Sequence, residues 1–262
     1  SYTPTQAVSG VKNSLLFLIC LIPLSLGFII PVSILLNFVI KGYSIINFFE
    51  IFQITLSSIS LAFISSSFIM LLSLLMIIVG AYKSNNFQKI LIFFASSGYA
   101  FPGTILAVGI VVFVGWLNDL IYFRMSYAVG GFIILLFAYS IRFLAVGNGA
   151  ITSGISRIHP NLLDASRTMG VSFFKSIRKI ILPLLYTNLL VGGILVFVDI
   201  LKELPITLLL RPFNFETLAT YVYQYASDEM LEESAFAALI IVIAGLGPVI
   251  FLNRTITKSI KN

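Results

Sequence analysis

DASRTMGVSFFKSIRKIILP, residues Asp164 to Pro183, is a basic, interrupted amphipathic stretch set between two greasy ones. The surrounding 262 residues are 59% hydrophobic and only 10% charged, with a mean hydropathy of +1.06, which excludes an ordinary soluble domain. Runs nearly free of charge set the spans, since about 20 apolar residues are needed to cross about 30 Å of hydrocarbon. They are Asn13 to Ile40, Ile51 to Tyr82, Ile90 to Asn118, Met125 to Ala150 (interrupted by Arg142), Ile180 to Val198 and Ser234 to Asn253. The reading is an all-α polytopic membrane protein of six helices. In lipid every backbone N–H and C=O must be satisfied within the chain, and the alternation of a membrane barrel is missing.

Sidedness follows from Lys and Arg. With six spans both termini share a side with the loops around Lys83 and Lys89 and around Arg157 to Lys179. That side holds twelve of the sixteen cations, against Lys41, Arg124, Lys202 and Arg211 on the other. The second side also holds every acid except Asp164, so the termini read as cytoplasmic. The net charge of +6 is then topological and calls for no nucleic acid, since no basic run is interleaved with aromatics for base stacking. Cys20 is the one cysteine and has no partner for an internal disulfide. The first run is too long for a signal peptide, and a chain that starts at Ser1 rather than Met reads as one part of a longer polypeptide.

The opening stretch falls in a cytoplasmic loop, residues 151–179, between the fourth and fifth spans. Asn161 suits an N-cap, with Asp164 in the first turn where the helix dipole favours a carboxylate. Leu162, Ala165, Ser166, Met169, Phe173 and Ile177 keep helical spacing, and Arg167, Lys175, Arg178 and Lys179 take the other face. Gly170 favours two short helices over one. Pro183 is expected in the opening turns of the fifth span, where its missing N–H costs little. One reading is a helix pair lying on the headgroups. The other is a docking knob, because Ala165, Ser166 and Gly170 are small and allow close approach.

From Asp164-Ala165-Ser166 through Gly170 to Ile180, Leu182 and Pro183, the stretch resembles the E-A-A-x3-G-x9-I-x-L-P signature of permease subunits of ATP-binding-cassette importers, with Asp for Glu and Ser for Ala. GYAFPGTILAVG at Gly98, IRFLAVGNGAI at Ile141, the segment from Val198 to Ala235 and GLGPVIFL at Gly245 resemble the ferric iron permeases, in which two such units are often fused. LIPLSLGFIIPVSILL from Leu21 resembles the start of the second unit. The resemblance implies a single MetI-like transmembrane domain over 1–262 in a bacterial inner membrane. It also implies a periplasmic binding protein, a second permease unit and a cytoplasmic ATPase dimer that holds the ATP and Mg, with no cofactor on this chain. Asp164, Ala165, Ser166, Arg167, Gly170, Ile180, Leu182 and Pro183 would then couple to that ATPase. The chain has no G-x-x-x-x-G-K-[ST] loop for phosphates and reads as no enzyme itself.

Charge in or beside a span marks the remaining candidates. Asp199 and Lys202 are three apart at the end of the fifth span and can pair, next to Glu203 and a Pro205 hinge, with Arg211 beyond. They either snorkel to water or line the outer mouth of the pathway. Arg142 either reaches the cytoplasmic interface or pairs in the bundle, and its place two-thirds along the span favours the interface. Tyr221, Tyr223 and Tyr225 with Asp228, Glu229, Glu232 and Glu233 are hard oxygen donors. Short helices capping the pathway and meeting the binding protein account for that segment without a metal site. His159 suits a loop or the start of a helix, Trp116 and Tyr122 an aromatic belt, and Pro102-Gly103 a break in the third run. A permease for sulfate, molybdate, thiamine or a polyamine, or an ion-coupled secondary transporter using Asp199 and Glu203, stand as alternatives.

Overall fold

A computed structural model describes residues 10–82, 86–121, 127–159 and 161–261. Lys83, Tyr122, Arg124 and Pro160 lie outside the described residues. Among those described, five helices are long and apolar enough to cross a membrane, and one bent pair makes a sixth crossing. The first crossing runs from α1 (Val11–Leu24) through a π turn (Ser25–Ile29) into α2 (Ile30–Lys41), and α3 (Phe48–Tyr82) returns. Next come α4 (Asn86–Ser97) and α5 (Gly103–Ile121), meeting at 117° across Phe101-Pro102. The fourth crossing is α6 (Tyr127–Ile155).

The elbow α7 (Asn161–Thr168) precedes α8 (Phe173–Ser176), a second π turn (Ile177–Ile181) and α9 (Leu182–Leu201). Short α10 (Pro205–Leu210) and α11 (Leu218–Ser227) lead to α12 (Leu231–Lys261).

Side-chain neighbours fix the direction of each crossing. Ser57 and Ser73 of α3 sit beside Phe132 and Gly147 of α6, so α3 and α6 run parallel. Residues between them must therefore bring the chain back across the bundle, which makes the bent α4–α5 pair one crossing. α9 runs against α6, with Asn188 Nδ2 donating to the Ala150 carbonyl at 3.2 Å and Leu185 facing Gly154. Gly42, after α2, packs on Glu232 at the start of α12. The start of α1 and the end of α12 consequently lie at the same end of the bundle as the elbow.

α3, α6 and α9 make the centre, with Ile69, Met70, Tyr139, Phe143, Leu185 and Val196 buried among them. Small residues let these helices touch: Gly147 lies on Ser73 and Met70, and Gly192 lies on Ala150 and Met70. Gly98 is the tightest case. A Cβ there would fall on the Ile141 backbone carbonyl, which cannot move aside. Gly98→Ala is expected to destabilise the bundle by about 1–3 kcal/mol, as overpacking does, read as a lowered Tm in detergent. An unchanged Tm would show that α4 and α6 are not held at this distance.

One expectation about the fifth span is corrected. Within residues 151–179, α6 persists to Ile155 and the helix of the fifth crossing begins at Phe173. Pro183 therefore lies well inside a continuous helix rather than in its opening turns. The helix survives because the chain widens around the proline: the Leu182 N–H bonds the Ile177 carbonyl, an i to i−5 pattern that avoids the clash of a proline ring with the carbonyl four residues back. Pro31 is accommodated in the same way, with the Ile30 N–H on the Ser25 carbonyl.

Candidate functional site

The elbow is built by local hydrogen bonds. At its start the Asn161 N–H donates to His159 Nδ1 at 3.4 Å and the Leu162 N–H to the His159 carbonyl at 3.1 Å. Asn161 is thus the first helical residue rather than the cap. At its end the Val171 N–H donates to the Ser166 carbonyl at 3.0 Å, and Gly170 takes φ +74°. This is a Schellman turn, whose left-handed position suits glycine because a Cβ there is strained. Gly170 ends α7 as expected.

The small residues of α7 do not share one face. Ser166 is buried, and its hydroxyl meets that of Ser176 at 2.8 Å, latching α7 onto the start of the fifth crossing. Ala165 and Gly170 face outward with Leu162, Met169 and Phe174, the last 83% exposed. Arg157, Lys175, Arg178 and Lys179, close by in sequence, are exposed too. Asp164 and Arg167 lie on α7, with side chains outside what is described. Of the remaining signature residues, Ile180 and Leu182 are half-buried and Pro183 is exposed, all on the helix that the latch anchors.

The second assembly lies inside the bundle. Arg142 does not reach the interface. Its Nε lies 3.4 Å from Glu203 Oε2, and its Nη1 donates to the Phe101 carbonyl at 3.2 Å. Phe101 stands at the break between α4 and α5, where its carbonyl precedes the helical ladder that Pro102 begins by accepting the Leu106 N–H. Glu203 stands at the break between α9 and α10, and its Oε1 accepts the Ile206 N–H at 3.4 Å. Irregular backbone at membrane depth persists only where protein or water satisfies it. One arginine thus braces two broken crossings from the helix between them. Tyr139, one turn away, adds a 2.5 Å hydroxyl contact to Thr207, which itself donates to the Glu203 carbonyl at 2.6 Å. Gly103 leaves room for this knot, since a Cβ there would meet Arg142 and Glu203.

The outer-mouth candidates separate. Asp199 and Lys202 pair at 3.0 Å on the helix surface, as their spacing predicts. Glu203 leaves them for Arg142, and Pro205 opens α10 instead of ending α9. Arg211 pairs with Glu216 and donates to the Phe215 carbonyl, clasping a turn in which Asn214 takes φ 58°. Phe215 stacks edge-on to Phe132 at 4.8 Å. Tyr221 and Tyr225 stack at 4.5 Å, while Tyr223 faces outward. Burial pushes the Tyr221 phenol further up, with Tyr225 adding to the shift. Sequence reasoning missed Tyr139, Thr207 and the Phe101 carbonyl. The available signal was Tyr139 and Arg142, three apart on one face of an apolar run.

A membrane bundle with broken crossings, tied to a latched elbow carrying an apolar patch, is the architecture of a transporter's permease. The chain belongs to the family described as binding-protein-dependent transport system inner membrane components, which its residues 73–262 match. It is 25% identical over 236 residues to the Fe(3+)-transport system permease protein FbpB 2 of Haemophilus influenzae, covering 88% of this chain and 44% of that protein. The chain therefore spans about half the length of that curated relative. In fold it is similar to a crystal structure of a bacterial ABC transporter involved in the import of the acidic polysaccharide alginate. That match has a TM-score of 0.71 at 17% identity and covers 94% of this chain and 96% of the other. An inward-facing MetNI methionine ABC transporter is similar at a TM-score of 0.55 and 14% identity, covering 78% and 95%.

Proposed function

We propose that this permease carries ferric iron, delivered by a periplasmic binding protein, and is driven by a cytoplasmic ATPase dimer that docks on the elbow. In this reading the elbow and both termini lie in the cytoplasm, the clasp at Arg211 faces the binding protein, and a second permease unit completes the pathway across a bacterial inner membrane. The observation that carries the docking is the patch of Leu162, Met169 and Phe174. Exposed apolar side chains on a capped helix, with exposed cations close by in sequence, have the character of a protein interface, with a partner groove that is greasy inside and acidic at its edge. The latch at Ser166 and Ser176 would pass a push on α7 directly into the fifth crossing. Iron rests on the likeness to FbpB 2, since the coupling signature is shared with permeases for other cargo.

Ion-coupled secondary transport is less well supported. It needs carboxylates free to take up a cation, whereas Asp199 is paired with Lys202 and Glu203 with Arg142. Reconstitution with a partner ATPase and with binding proteins loaded with each candidate cargo tests the proposal. Ferric-loaded binding protein is expected to stimulate ATP hydrolysis. Stimulation by a sulfate-, molybdate-, thiamine- or polyamine-loaded protein instead would overturn iron, and uptake without ATP would overturn the importer.

A further inference from the structure

Packing fixes the helix of the fifth crossing at two separate places. At its start, Ser176 is buried, with its hydroxyl 2.8 Å from that of Ser166 on α7. Further along, Ile181, Leu185, Gly192, Val196 and Ile200 form one buried face. These five residues stand four, seven, four and four apart, the spacing of a regular α-helix. Ser176 breaks the series. It comes five residues before Ile181, where a regular helix would point it about 140° away and turn Ile177 inward in its place.

The π turn at Ile177–Ile181 supplies the missing rotation. With the Leu182 N–H on the Ile177 carbonyl, five residues close a turn that four would close in an α-helix, so Ser176 returns to the face of Ile181. Proline alone does not demand such a turn, since Pro23 and Pro248 stand inside ordinary α-helix. A π turn does form before Pro31, but none of its residues is buried and no packing depends on its register. At Pro183 the wide turn falls on a junction where two separately packed pieces must meet. A helix with one residue more or fewer at such a junction is rotated by about 100°. Phe174 lies two residues before Ser176, so a wrong register would either open the latch or swing the apolar patch around the axis of the crossing.

We propose that the extra residue in the Ile177–Ile181 turn sets the angular register between the elbow and the fifth crossing. Pro183 is the positioning residue: its ring clashes with the carbonyl four residues back and so disfavours the regular turn. The register stands on packing alone, and its consequence for transport rests on the importer reading.

A deletion and an insertion at the same place test this against a mere need for an intact helix. In a Cys20→Ser background, Ser166→Cys with Ser176→Cys reports the latch as a disulfide formed by mild oxidation in native membranes and read by a thiol-reactive mass tag. Adding Pro183→Ala and deleting Lys179 leaves a regular helix with Ser176→Cys four residues before Ile181. That variant is expected to form the disulfide as its parent does. Adding Pro183→Ala and inserting one alanine after Lys179 is expected to give at least about fivefold less, because the thiol is turned about 120° off the buried face. Equal yields from the two, or loss of the disulfide on deletion, would overturn the register. With both serines kept, ATP-driven uptake is expected to be higher in the deletion variant than in the insertion variant, and equal uptake would overturn the part of the turn in coupling. Oxidation needs neither iron nor ATP. Unequal yields without ATP-driven uptake by the parent would therefore sink the importer reading and leave the register standing.

Discussion

Replacing Arg142 with alanine is expected to destabilise the bundle by about 3–5 kcal/mol, the cost of leaving a buried charge without its partner. Glu203, with its side chain only 8% exposed, would face a vacated space, and the Phe101 carbonyl would lose its donor at the other break. Both broken crossings would loosen together, since the same guanidinium serves each. Arg142→Met combined with Glu203→Gln is expected to recover about half of the loss, because the amide oxygen can still accept the Ile206 N–H and no charge is left buried. Thermal unfolding of the wild type, the singles and the double in one detergent measures this. If Arg142→Ala were as stable as the wild type, the brace would have no mechanical part in holding the breaks.

Gly170→Val is expected to leave the bundle folded and to abolish most transport. A Cβ at Gly170 would meet nothing within 4 Å, so there is no clash to disturb the fold. The penalty is conformational: at φ +74° a side chain costs about 1–2 kcal/mol, and more when β-branched. That shifts the elbow away from its capped form by about tenfold and opens the Val171 to Ser166 bond that sets the direction of α7. Gly170→Asn, which tolerates the left-handed region, is expected to keep most activity. Iron uptake and ATPase association in vesicles read the difference. Equal uptake by the Val and Asn variants would show that the cap geometry does not transmit the stroke.

Much of this molecule is legible in one dimension. Greasy runs locate crossings because a chain in hydrocarbon has few alternatives to helix, and Gly170 announces the end of α7 because few residues other than glycine sit comfortably at a positive φ. The Asp199 and Lys202 pair is equally readable, being local on one helix. Pro183 misleads for a local reason too: a proline reads as a helix start, and only backbone geometry reveals a widened turn that carries the helix past it.

Sequence by itself determined the number of crossings, their helical nature, the place of the elbow and the family signature, since each depends on composition or on spacing within a few turns. Tertiary structure alone decided where the buried charges go. Arg142 and Glu203 are 61 residues apart, and Phe101 lies 41 residues from Arg142 on the other side. They meet because two crossings break beside α6 and expose polar groups that hydrocarbon cannot solvate. The same holds for the Ser166 latch, which turned a supposed docking residue inward: a hydroxyl pairs with whatever packing brings near, and periodicity does not say what that will be.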